Sequence, residues 1–189
     1  MIVRTFIAVD LPEPVKTRIS DLVHRLKFAA PSGIGWVRIA DLHLTVKFLG
    51  EIDETGLPAV ENAVRTIAAD TSVFPLSITG TGTFPPGSRK PRVIWIGIKD
   101  ETVLPDLHGR LENSLAALGH PREDRPFHPH MTIGRVKTSG LPQALLDRLA
   151  EYASASFGDM EVREIVVYRS VLHPRGPEYT PLFKGALRA

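Results

Sequence analysis

The sequence predicts a chain of mixed helices and strands built as two similar units that face each other. Three observations predict it. The order strand, helix, strand, helix, strand can be read twice along the 189 residues. One strand of each reading carries a histidine with a threonine two positions on, His43-Leu44-Thr45 and His130-Met131-Thr132. These histidines stand 87 positions apart (130 − 43) and the first strands begin 90 apart (93 − 3), so the motifs occupy equivalent places in two copies of one unit, approximately 1–88 and 89–189.

The first unit opens with an apolar strand, Val3 to Val9. A helix follows, started by Pro12 or Pro14 and striped by Val15, Ile19, Leu22 and Leu26. The first His/Thr strand comes next, then a helix with Leu57, Val60, Val64 and Ile67, then a strand from Phe74 to about Thr83. Residues 82–91, Gly-Thr-Phe-Pro-Pro-Gly-Ser-Arg-Lys-Pro, combine turn formers with basic residues and are expected to be a mobile loop joining the halves. The second unit has a strand Val93 to Ile98 and a helix with Leu104, Leu107, Leu111 and Leu118. It continues with the second His/Thr strand, a helix with Leu141, Leu145 and Leu149, and a strand Val162 to Leu172. A last strand is expected from Pro181 to Leu187.

Both motif strands show period two. Leu42, Leu44, Val46 and Phe48 alternate with His43, Thr45 and Lys47, and Phe127, Pro129, Met131 and Ile133 alternate with His128, His130, Thr132 and Gly134. Each histidine therefore points the same way as its threonine, and the pair can grip one small anion. Two such faces opposed across a groove suggest acid–base chemistry on a phosphate.

Composition bounds the alternatives. One domain is expected to take up the whole chain, with roughly 70% of the unfolded surface buried. Cysteine is absent, which excludes disulfides, thiolate nucleophiles and Cys-ligated zinc and agrees with a reducing cytoplasm. The apolar run in Met1 to Leu11 is short and interrupted by Arg4 and Asp10, so neither a signal peptide nor a membrane span fits, and a soluble, cytoplasmic protein with no membrane partner is expected. A net charge of +2 leaves the ligand open.

Over nearly its whole length the chain resembles the 2H phosphoesterases, in particular the RNA 2′,3′-cyclic phosphodiesterase branch also called 2′-5′ RNA ligase. The resemblance rests on Arg4-Thr5-Phe6-Ile7-Ala8-Val9, Trp36-Val37, His43-Leu44-Thr45-Val46-Lys47-Phe48-Leu49-Gly50 and Arg92-Val93-Ile94-Trp95. It extends through residues 125–135, Arg-Pro-Phe-His-Pro-His-Met-Thr-Ile-Gly-Arg, to Ser170-Val171-Leu172, Gly176 and Tyr179. It implies an α+β fold of two pseudo-symmetric lobes with mainly antiparallel sheets, helices outside and a central cleft carrying both motifs. It also implies a metal-free and cofactor-free mechanism in which His43 corresponds to the proton donor and His130 to the acceptor, while Thr45 and Thr132 hold phosphate oxygens. The implied partner is RNA ending in a 2′,3′-cyclic phosphate, with tRNA fragments among the candidates. Such an enzyme, expected to be a monomer, would leave a 2′-phosphomonoester and could run in reverse as a 2′-5′ ligase.

Secondary candidates follow from the same faces. Arg135 and Arg125 flank the second motif and could neutralise phosphate, and Lys47, on the His43 face, could meet the RNA backbone. Trp95, Phe48, Phe84 and Tyr179 could stack a base or belong to the core. His128 and His130 could be read as a metal pair, although no nearby carboxylate pattern completes a site. Two other functions compete: a phosphodiesterase for small cyclic nucleotides or 2′-5′ oligoadenylates, and an RNA-end binding module without turnover.

Overall fold

A computed structural model describes residues 1–189 except Pro31, Arg89, Glu101 and Arg175. The elements run β1 (Ile2–Asp10), α1 (Glu13–Ala29), β2 (Ile34–Trp36), β3 (His43–Asp53), α2 (Leu57–Ala69), β4 (Phe74–Phe84) and β5 (Val93–Lys99). They continue with α3 (Val103–Ala116), β6 (His130–Val136), α4 (Gln143–Glu151), β7 (Ser156–Val162), β8 (Glu164–His173) and β9 (Gly176–Ala186). The strands form two antiparallel sheets, ordered β3-β1-β8-β9 and β2-β6-β5-β4-β7, so the class is α+β.

The helices form where the sequence places an apolar stripe at helical spacing. Val15, Ile19, Leu22 and Leu26 of α1, and Val60, Val64 and Ile67 of α2, are all buried. Each buried Leu, Ile or Val contributes about 1.5–3 kcal/mol by leaving water. In α3 the stripe ends on Leu115 rather than Leu118, because the helix stops at Ala116 and Leu118 is exposed. Leu141 likewise precedes α4, whose buried residues are Leu145 and Leu149. Helices α1 and α4 pack on the second sheet, through β7 and β4, while α2 and α3 pack on the first, through β9, β8 and β3.

Neither sheet belongs to one half of the sequence. Strand β4 leaves the first half to lie between β5 and β7, and β8 and β9 leave the second half to extend β1. The motif strand nevertheless holds the same place in both orders, beside the first strand of its own half, as β3-β1-β8 and β6-β5-β4 show. The expected single strand Val162 to Leu172 is two strands parted at Arg163, and they enter different sheets. The expected loop at 82–91 begins as strand, with Gly82 to Phe84 completing β4, and Arg92 N–H closes the hairpin onto the Phe84 carbonyl at 2.7 Å. Arg89 of that stretch lies outside the described residues. No helix among the described residues is long and apolar enough to cross a membrane.

Candidate active site

The two motif strands belong to different sheets but meet: residues of β3 and β6 approach within 8 Å between Cα atoms. Each strand begins on its histidine, and each histidine is anchored in the same way. Nδ1 of His43 lies 2.8 Å from the carbonyl oxygen of Asp41, and Nδ1 of His130 lies 2.7 Å from the carbonyl oxygen of His128. A carbonyl can only accept, so Nδ1 carries the proton in both rings and the neutral form presents a lone pair at Nε2. The backbone just before each strand thus fixes both tautomer and ring plane.

Side chains hold that backbone in turn. Arg38 grips the Asp41 carboxylate and donates to the Pro177 carbonyl at 3.0 Å, tying the turn before β3 to the start of β9. Around His43, Phe6 stacks at 4.8 Å between centroids and Tyr179 presents an edge at 5.2 Å. Tyr168 stacks on Phe6 and donates its hydroxyl to Asp10, the cross-strand partner of His43. Around His130, Phe84 packs edge-on at 4.9 Å. Sequence reasoning missed Phe6, Asp10, Arg38 and Tyr168 in these roles: Phe6, Asp10 and Tyr168 come to His43 through sheet pairing, and Arg38 acts through Asp41 three residues on.

Both imidazoles are held below the ordinary histidine range, chiefly because burial penalises the cation. The opposing influences differ between them. For His43 the Asp41 carbonyl and the Asp10 and Asp41 carboxylates pull the value back up, whereas for His130 the His128 carbonyl does so but the His128 ring and Arg135 push it further down. His43 thus has carboxylate neighbours, and His130 has the guanidinium of Arg135.

A bulge directly after the threonine of each motif strand decides which residues share the histidine face. In β3, Lys47 pairs with Ile7 and Thr45 with Ala8, so Val46 is an extra residue and the alternation shifts by one. Lys47, expected beside His43, therefore turns inward: it is fully buried, with Nζ 2.6 Å from Glu112 Oε1 and 3.1 Å from the Pro121 carbonyl. Its assignment to RNA is corrected. Phe48 takes the face instead and is exposed. In β6, Gly134 pairs with Ile94 and Thr132 with Trp95, leaving Ile133 extra. Arg135 is thereby turned outward, and its charge bears on both His130 and Tyr179, which belong to different sheets.

Residues 12–173 match the family model of the 2′-5′ RNA ligase superfamily. The chain belongs to that superfamily. An RNA 2′,3′-cyclic phosphodiesterase of Archaeoglobus fulgidus is 38% identical over 180 residues, spanning 95% of this chain and 97% of its own. One from Methanothermobacter thermautotrophicus is 36% identical over 96% and 97%. Among solved structures, a Thermus thermophilus protein aligns with a TM-score of 0.79 at 33% identity, covering 98% of both chains. Escherichia coli LigT in its apo form aligns at 0.78 and 27%, covering 100% of this chain and 99% of that one.

His43, Thr45, His130, Thr132 and Arg135 lie on the solvent-accessible sides of β3 and β6, and Lys47 is buried. Among the described residues no group of three or more His, Asp or Glu is arranged to hold a metal ion, and His128 turns towards Phe84 at 6.4 Å.

Proposed function

We propose that the chain is an RNA 2′,3′-cyclic phosphodiesterase that opens terminal cyclic phosphates to 2′-phosphomonoesters by two-histidine acid–base catalysis. The observation that carries this reading is the matched anchoring of His43 and His130 on two strands that approach each other from different sheets. The names of the relatives support the same substrate.

Hydrolysis requires one base to deprotonate water and one acid to protonate the departing ribose oxygen. His130, with Arg135 nearby, is suited to be the neutral base, and His43, with carboxylates nearby, is suited to keep its proton as the acid. In the step, the water oxygen bonds phosphorus, its proton passes to His130 Nε2, the P–O3′ bond breaks, and O3′ takes the proton from His43 Nε2. Thr45 and Thr132 donate to non-bridging oxygens as their charge grows, and Arg135 neutralises it. The same step with a 5′-hydroxyl in place of water gives 2′-5′ ligation by the same two groups.

The proposal takes residues 1–189 as one catalytic unit of duplicated origin, supported by the corresponding strand orders around β3 and β6. It extends to a monomer acting on RNA ends, tRNA fragments included, in the cytoplasm. The test is incubation of chelator-treated protein with an oligonucleotide ending in a 2′,3′-cyclic phosphate. A 2′-phosphate end supports the reading, a 3′-phosphate end overturns the proposed regiochemistry, and tight binding without product makes the chain an end-binding module.

A further inference from the structure

A cavity of about 450 Å³ opens directly beside His130, and all its walls come from the second sheet and the loops at its ends. Its shape follows from two rows of cross-strand neighbours: His130, Gly97 and Thr79 in one, Thr132, Trp95 and Gly82 in the other. Cross-strand partners point to the same face, so both rows continue the His130/Thr132 surface away from the His43 wall. Gly97 keeps the first row low, since a Cβ there would meet the Thr79 carbonyl oxygen at 2.7 Å. Gly82 lets the Trp95 indole lie flat, since a Cβ there would meet that ring at 2.2 Å.

The result is a trough floored by glycine, walled by Trp95 and Phe84 and flanked by the His128 ring, with Ala153 at its far end. Its volume lies in the range of small-molecule sites, roughly 300–1,000 Å³. Flat aromatic walls with few polar groups suit the face of a nucleobase. The indole Nε1–H of Trp95 finds no acceptor among the described residues, a cost that phenylalanine would avoid, so stability alone does not explain a tryptophan here.

Direction decides which nucleoside belongs there. In-line displacement places the attacking and departing oxygens on opposite sides of phosphorus. With His43 protonating the departing ribose oxygen, the nucleoside that carries the cyclic phosphate belongs to the His43 wall with Phe6, Phe48 and Tyr179. Whatever attacks comes from the His130 side, where the trough begins.

We propose that this trough is the acceptor subsite: it binds the nucleoside whose 5′-hydroxyl replaces water as the nucleophile. The inference rests on the phosphodiesterase reading and its assignment of His130 as base. The balance is that of ligation: the 5′-oxygen bonds phosphorus, its proton passes to His130, the P–O3′ bond breaks, and O3′ is protonated by His43.

The test uses adenosine as probe and Trp36→Phe protein, which leaves Trp95 as the single tryptophan of a chain that has two. Adenosine should change Trp95 fluorescence even when the protein is saturated with adenosine 2′-monophosphate. Added to a cyclic-phosphate-ended oligonucleotide, it should also divert initial product into a 2′-5′ adduct. Ala153→Trp, which narrows the far end, should raise the adenosine concentration for half-diversion by about tenfold, the effect of losing one base stack. Loss of the adenosine signal in the presence of adenosine 2′-monophosphate would mean one shared nucleoside site and overturn the inference. So would Ala153→Trp raising KM for the cyclic phosphate while leaving the diversion ratio unchanged. Absence of hydrolysis by the Trp36→Phe protein would instead count against the phosphodiesterase reading itself.

Discussion

The Nδ1–H of His43 donates to the carbonyl oxygen of Asp41 at 2.8 Å, so the ring is oriented by backbone two residues earlier in the chain. His130 repeats the relationship with His128. Because these bonds leave Nε2 as the working atom of each ring, His43→Ala and His130→Ala should each cost about 10²–10⁴-fold in kcat/KM on a cyclic-phosphate-ended oligonucleotide. Substantial turnover by either variant would remove that residue from the mechanism.

The pH profile carries a sharper expectation. The proposed mechanism needs His130 neutral and His43 protonated, and both rings are held below their ordinary range by burial. The kcat/KM profile, which reports the free enzyme, should be a bell with its optimum on the acid side of ~6.5. Arg135→Ala removes a cation that depresses His130, so it should move the acid limb towards higher pH as well as raise KM. An unmoved acid limb would separate Arg135 from His130.

Thr45→Ala and Thr132→Ala should be milder than the histidine variants. Each deletes one hydroxyl donor and leaves both proton transfers in place, an effect of about tenfold for one hydrogen bond of ~1–1.5 kcal/mol. A threonine variant as inactive as His43→Ala would make the hydroxyl part of the proton path.

Lys47 separates two accounts of the same residue. As a cleft residue it would affect KM and leave stability alone; as the buried partner of Glu112 it does the reverse. Removing one member of a buried ion pair costs ~3–5 kcal/mol, so Lys47→Met should lower the urea midpoint markedly, and Glu112→Leu in the same chain should restore much of the loss. Glu112 also accepts from the Glu123 backbone N–H, and Lys47 holds the Pro121 carbonyl, so the pair fastens β3 to the segment leading into His128 and His130.

That exchange marks how far the sequence could be read. Alternation around His43 and His130 gave the right faces for Thr45 and Thr132, because two-residue spacing stays within one pleat. Directly after each threonine an extra residue, Val46 or Ile133, reverses the alternation, sending Lys47 inward and Arg135 outward. Nothing local in Val46-Lys47 announces a bulge; it is set by pairing with β1. The helical stripes were legible because 3.6-residue spacing is local, with Leu118 and Leu141 misplaced where α3 stops at Ala116 and α4 starts at Gln143. The division at Arg163 and the passage of β4 and β8 between halves depend on sheet partners 80 or more positions away, such as Ile78 with Gly158 and Thr5 with Arg169. The same distance hid Asp10 and Tyr168 from a reading that could see only neighbours.

Burial of histidines also sets how the fold responds to acid. His43, His108, His120 and His130 all have their protonation disfavoured by burial in the folded chain. Unfolded, these groups titrate near ~6.5, so between their folded values and ~6.5 the unfolded chain binds more protons. Their contribution to stability is therefore complete above that range and is lost as pH falls through it. The Tm should decline between pH 7 and pH 5. His108 offers the cleanest dissection, because its ring stacks on Phe127 at 4.0 Å and approaches Glu112 at 3.5 Å without making a hydrogen bond through Nε2. His108→Phe keeps the stack and removes the titrating nitrogen, so the variant should lose less Tm between pH 7 and pH 5 than the parent chain. An equal or steeper decline would show that the His108 ring gains its proton in the folded state through Glu112, and that the carboxylate outweighs desolvation at this position.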